Sequence, residues 1–159
     1  MSNASKFAVE IREFAPITVA FVRHIGPYIE CEAAFNQLFD WATKERLQMK
    51  DGLVLGIPHD DPEVTPPEEL RYDACMEIPQ SVTVSGNIKK QNIAGGRYAC
   101  CILKGSYQQL MEVYRTLYHE WLPASGEEPR HAPPIEIYYN SPHDTPEEEL
   151  LTEVRVPLV

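Results

Sequence analysis

The chain has 159 residues, 43% of them hydrophobic, and a formal net charge of -10. That length fits one globular domain, enough to bury roughly 70% of its unfolded surface, and leaves no room for a second. The acidic balance argues against direct nucleic-acid binding, because affinity there comes mainly from Lys and Arg neutralising phosphates, whereas an acidic surface also simply keeps a protein soluble.

No basic stretch followed by an apolar one opens the chain, and no run approaches the roughly 20 apolar residues of a membrane span. The expectation is a soluble, cytoplasmic protein with no membrane partner. Met1-Ser2-Asn3-Ala4 matches no structural pattern, fits a leftover of expression, and is set aside from the fold. Cys31, Cys75, Cys100 and Cys101 show no C-x-x-C spacing, which fits reduced, mostly buried thiols.

Phe7 to Phe14 alternates as a strand, and Ile17 to Ile25 is rich in β-branched and aromatic residues, so the chain is expected to start like a hairpin. Gly26-Pro27 then opens a helix whose apolar residues Tyr28, Cys31, Phe35, Leu38, Phe39 and Ala42 recur at helical spacing up to about Arg46. Leu53 to Pro58 and Arg71 to Ile78 read as strands flanking an acidic, Pro-rich loop. The order repeats. Ile88 to Ala94 and Arg97 to Lys104 are strands broken at Gly95-Gly96, where a bulge or tight bend is expected. Ser106 and Gln109 are placed for a capping box, and Tyr107, Leu110, Met111, Tyr114, Tyr118 and Trp121 form the apolar face of the helix that follows. Pro134 to Tyr139 and Leu151 to Leu158 supply the last strands.

The halves also match in letters. Thr65 to Leu70 (TPPEEL) and Thr145 to Leu150 (TPEEEL) agree at five of six positions, and Trp41 with Trp121 and the G-x-Y triplets at Gly26 and Gly105 recur in the same order. Each T-P-x-E is expected to form one helical turn with Thr as N-cap. Markers in register point to an internal repeat, about 7–79 and 86–159, within one domain. The expected class is α+β: two β-β-α-β-β halves with pseudo-twofold symmetry, an eight-stranded antiparallel framework, two main helices and a groove between the halves. In this alignment Glu136 falls opposite Ile57, and Tyr138 opposite His59.

Side chains alternate along a strand, so Glu136, Tyr138 and Asn140 share one face of the segment from 134 to 139, and Ile135, Ile137 and Tyr139 the other. A carboxylate beside a phenol in a concavity suits a cationic or polar ligand. The competing reading is a solvated strand face, which antiparallel sheets commonly keep. Most of the aromatic residues, including Phe21 and Trp121, are accounted for by core packing unless they border the cleft. Five histidines, His24, His59, His119, His131 and His143, show no metal-ligand spacing, although His59-Asp60-Asp61 is able to hold a cation weakly if it is not simply a solvated turn. Nucleotide-binding and nucleophile-elbow motifs are absent, and no cofactor is expected.

Five segments together resemble the GyrI-like small-molecule-binding family of DNA gyrase inhibitory proteins and AraC-type effector-binding domains. They are VRHIGPY at Val22 to Tyr28, HDDPEVTPPEELRYDACMEIP at His59 to Pro79, IAGGRYACCILKGSY at Ile93 to Tyr107, EWLPASG at Glu120 to Gly126, and IEIYYN at Ile135 to Asn140. The resemblance implies a duplicated fold whose groove has the Glu of an E-x-Y strand at its floor, facing lipophilic cations among aromatic side chains. Glu136 and Tyr138 match that motif, and the expected ligand-binding set is Glu136, Tyr138, Phe21, Trp121 and His59. With no segment left for a helix-turn-helix, the chain is not expected to act as a DNA-binding regulator alone. The first reading is a stand-alone bacterial protein that binds a hydrophobic, cationic small molecule. One alternative is inhibition of DNA gyrase through a protein surface. Another is a hydrolase of electrophilic xenobiotics, in which Glu136 activates water as general base and Tyr138 donates to the leaving group.

Overall fold

The computed structural model describes residues 7–47 and 52–159; Met1-Ser2-Asn3-Ala4 lies outside them. The chain divides into two compact units, one formed by Ala15–Gly95 and the other by the first strand, β1 (Val9–Phe14), together with Gly96–Val159.

In the Ala15–Gly95 unit, β2 (Ile17–Ile25) leads through a 3-10 turn to α1 (Glu32–Lys44), and then come β3 (Val54–Pro58), β4 (Arg71–Glu77) and β5 (Lys89–Ile93). These four strands are antiparallel in the order β3-β4-β2-β5. The periodicity of α1 buries Ala34, Leu38 and Ala42, which pack on Ala20 and Val22 of β2 and on Ala74 and Met76 of β4. Removing Leu38 from water contributes roughly 1.5–3 kcal/mol, and its two small neighbours let the helix lie close to the sheet.

The other unit takes β6 (Gly96–Lys104), a helical segment, β7 (Ile135–Tyr138) and β8 (Leu151–Pro157), with the strands antiparallel in the order β1-β6-β8-β7. Its helix is composite. α2 (Leu110–Arg115) passes into a π-helical stretch, Thr116–Trp121, and ends in α3 (Leu122–Ser125) at Gly126, whose φ is 77°. Val113 and Leu117 from this helix meet Ala99, Cys101, Leu103, Val154 and Val156 from the sheet. All four cysteines are free thiols, and three of them are buried. No helix among the described residues is long and apolar enough to cross a membrane.

Strand positions follow the sequence reading closely, but the pairing at the start does not. β1 pairs with β6 rather than with β2, and β5 pairs with β2 rather than with β6. The hairpin-like start is therefore corrected. A two-residue hairpin needs positive φ at its first loop residue, and in type I′ at both; Pro16, with φ held near -65°, excludes the second, and Ala15, an L-residue with a Cβ, strains to supply the first. The first strand of each expected half thus joins the unit that carries most of the other half.

The repeated motifs meet each other in space. The Gly26 amide donates to the Leu70 carbonyl at 2.8 Å, and the Gly105 amide to Leu150 at the same distance. Both glycines have φ of 136°, a region that side chains strain to enter. Each G-x-Y is thereby tied to the end of a T-P-x-E-E-L turn. Those turns are the 3-10 segments Pro67–Glu69 and Glu147–Glu149, without the expected Thr caps, because the extended Pro66 and Pro146 stand at the capping position. The capping box at Ser106 is likewise replaced: its hydroxyl accepts from the amide of Gln108, at 3.1 Å.

Candidate functional site

The ladders place Glu136 opposite Val154 and Tyr138 opposite Thr152. Val154 belongs to the core beneath the composite helix, so the Glu136 face is the helix-facing one. Ile135 and Ile137 on the reverse face are buried too, and the solvated-face reading of Glu136 fails: it is 7% exposed. Both sides of this strand are covered.

The two oxygens of Glu136 are divided between two phenols. Tyr114 of α2 donates to Oε2 and Tyr138 to Oε1, each at 2.5 Å. The Tyr138 ring stands edge-on to Tyr107, with centroids 5.8 Å apart, and Tyr114 stacks on Tyr118 at 6.4 Å with the planes 15° from parallel. Burial raises the pKa of Glu136, and the two phenolic bonds oppose that rise by favouring the ionised form. Burial also pushes the Tyr118 phenol up to about 12, so it stays protonated.

Among the described residues two other carboxylates are fully buried, and each has a cationic partner. Asp73 on β4 accepts from Arg23 at 2.8 and 3.0 Å and from Gln91 at 3.1 Å, and it contacts His59 Nε2 at 2.8 Å. Burial alone would raise its pKa, but these bonds hold it at about 2. Glu153 on β8 is bound by Arg12, by Arg155 at 2.9 Å and by the Tyr139 hydroxyl at 2.7 Å. Glu136 differs from both: its hydrogen-bond partners among the described residues are neutral phenols.

Of the five expected site residues, Glu136 and Tyr138 come together, and Trp121 packs from the composite helix onto the same unit's core. Phe21 and His59 lie in the Ala15–Gly95 unit, where the Arg23 guanidinium sits 6.0 Å from the Phe21 ring and His59 bonds Asp73. Tyr114, expected only on the helix's apolar face, is the functional residue that the sequence does not single out. The signal was available: a phenol on a buried helix face needs a partner, and the strand opposite supplied an acid.

The ladders pair these positions differently from the letter match. Tyr72 faces Pro58 and Ala74 faces Gly56, as Thr152 faces Tyr138 and Val154 faces Glu136. By ladder partner Glu136 sits as Gly56 does, and Tyr138 as Pro58 does, one residue from the places the letter match pairs. A slip of one residue swaps the faces of a strand. A Cβ at Gly56 would lie 1.8 Å from the Tyr72 hydroxyl, so a phenol occupies the space that a side chain takes at Glu136.

Antiparallel strands carrying helices, with a buried acid held by two phenols, make this an α+β protein. The chain belongs to the GyrI-like family: residues 7–159 match the family described as GyrI-like small molecule binding domain. It is 29% identical over 152 residues to the probable transcriptional regulator YgiV of Escherichia coli strain K12, covering 94% of this chain and 95% of that one. It is 32% identical over 138 residues to a DNA gyrase inhibitor of Yersinia enterocolitica, covering 84% of this chain and 87% of the relative. Among solved structures, the EcmrR C-terminal domain is similar with a TM-score of 0.77 at 19% identity, over 97% of this chain and 98% of that domain. SAV2435 bound to tetraphenylphosphonium is similar at 0.62 and 13% identity, over 96% of this chain and 94% of that one.

Proposed function

We propose that this chain binds a hydrophobic cation, with Glu136 as the counter-charge and Tyr114, Tyr138 and Tyr107 as its aromatic surroundings. The observation that carries the reading is the contrast among buried acids. Asp73 and Glu153 are neutralised by arginines, whereas Glu136 is held by two phenols. An ion taken out of water is costly unless paired, so an incoming cation offers Glu136 a charged partner that the described residues do not supply. Phenol faces attract cations as well. The tetraphenylphosphonium on a structurally similar protein is a ligand of this chemistry. Trp121 remains in the proposed site as a wall, while Phe21 and His59 are assigned to support of the Asp73 cluster. The proposed setting is cytoplasmic.

The test is a titration with tetraphenylphosphonium and with neutral triphenylphosphine oxide, read by tryptophan fluorescence, in wild type and Glu136→Gln. The substitution should weaken the cation about tenfold or more, roughly 1.4 kcal/mol, and change the neutral compound little. Equal loss for both ligands refutes the counter-charge role. Since burial raises the acid's pKa, cation affinity should also climb as pH rises through that raised value.

A second reading, inhibition of DNA gyrase, draws on the name of the Yersinia relative. It predicts that supercoiling assays respond to surface substitutions and ignore Glu136→Gln. Hydrolysis of electrophiles draws on the raised pKa of Glu136 and is tested by product formation that Glu136→Gln abolishes.

A further inference from the structure

Thr152 is fully buried, and its Oγ1 has no hydrogen-bond partner among the described residues. Such a hydroxyl is unusual, because a buried polar group without a partner costs about 1–3 kcal/mol. By contrast, the buried Thr18 hydroxyl bonds Asn92 at 2.9 Å. The place of Thr152 gives its orphan a use. It faces Tyr138 on one side and Leu103 on the other, on the helix-facing side of the sheet that carries Glu136. Residues directly opposite across antiparallel strands have Cβ atoms about 4.5–5.5 Å apart, so the hydroxyl lies at the base of the phenol that binds the acid. The corresponding position in the other unit is Tyr72, whose ring packs near Tyr28 and Phe35 and whose hydroxyl fills the space at Gly56. There the position is plugged by a ring; here it presents a short, unsatisfied hydroxyl next to the phenol.

We infer that Thr152 is a specificity-determining residue of the proposed cation site, where its hydroxyl hydrogen-bonds a polar group of the ligand. This rests on the cation-binding reading and refines it: the favoured ligand carries a hydroxyl, carbonyl or amine close to its cationic centre as well as apolar bulk. Such a ligand meets Glu136 with charge and Thr152 with a hydrogen bond.

The experiment compares (2-hydroxyethyl)triphenylphosphonium with propyltriphenylphosphonium, which differ by a hydroxyl in place of a methyl. Both are titrated into wild type, Thr152→Val, Thr152→Ser and Glu136→Gln. Wild type should prefer the hydroxylated cation by about threefold to tenfold, the worth of one net hydrogen bond. Thr152→Val should abolish the preference, Thr152→Ser should keep it, and Glu136→Gln should weaken both cations and leave their ratio unchanged. A preference that survives in Thr152→Val, or is missing in wild type, overturns the assignment while leaving cation binding in place. If neither cation binds wild type, the cation reading falls and the assignment with it. Urea denaturation without ligand supplies a second check. An orphan hydroxyl predicts that Thr152→Val is at least as stable as wild type; a clear loss of stability shows that the hydroxyl serves the fold, and also overturns the assignment.

Discussion

Replacing Tyr114 with Phe removes one of the two donors on Glu136 and leaves a ring to stack on Tyr118. The lost bond runs to a buried carboxyl, and hydrogen bonds to charged groups contribute about 1.5–3 kcal/mol, against roughly 0.5–1.5 for neutral ones. The cost therefore depends on pH. Burial raises the pKa of Glu136 and the Tyr114 bond lowers it, so that bond favours the ionised form. Where Glu136 is ionised, Tyr114→Phe should cost about 1.5–3 kcal/mol, a fall in Tm of about 3–12 °C for a chain of this size. Below the titration of Glu136 the cost should shrink to that of a neutral bond. The wild-type acid itself has the opposite slope: a raised folded-state pKa lends stability at low pH that is lost as pH rises through the folded value. The assay is urea denaturation of wild type, Tyr114→Phe and Glu136→Gln from acidic to mildly alkaline pH. In the Gln background, which has no charge at that position, Tyr114→Phe should give a small cost independent of pH. A cost that is the same at every pH in the Glu background would refute the claim that this phenol stabilises the carboxylate.

Other outcomes follow from the remaining buried groups. Asp73→Asn at neutral pH should cost about 1.5–3 kcal/mol in denaturation, because the half-exposed Arg23 guanidinium loses its buried counter-charge. Asp73 is held at about 2 against 3.8 unperturbed, so its contribution is full above the unperturbed value and is lost as pH falls toward the lower one, removing roughly 2 kcal/mol that Asp73→Asn never had. A gap between the two proteins that does not narrow in acid would refute this. Gly56→Ala should destabilise by about 1–3 kcal/mol or more, since its methyl would fall 1.8 Å from the hydroxyl of a ring packed near Tyr28 and Phe35. A wild-type Tm for Gly56→Ala would show that Tyr72 is able to move aside.

The strands, the helical faces and the repeated motifs were legible in the sequence because they depend on local chemistry. Alternation marks β7, the 3.6-residue period marks α1, and glycine marks positions such as Gly26 and Gly105, where φ is positive. The E-x-Y pair was legible for the same reason, since residues two apart on a strand share a face. Strand partnership was not legible: β1 lies two residues from β2 and pairs with β6, a choice made by non-local contacts and by a link that cannot form a hairpin turn. Nor was the register, where one residue decides whether Glu136 corresponds to Ile57 or to Gly56. Only tertiary structure decided that Glu136 is buried, that Tyr114 from a distant helix completes its hydrogen bonds, and that Asp73 and Glu153 receive arginines while Glu136 receives phenols. Burial and charge pairing arise between segments far apart in the chain, and no local pattern encodes which of these three acids is held by phenols rather than by arginines.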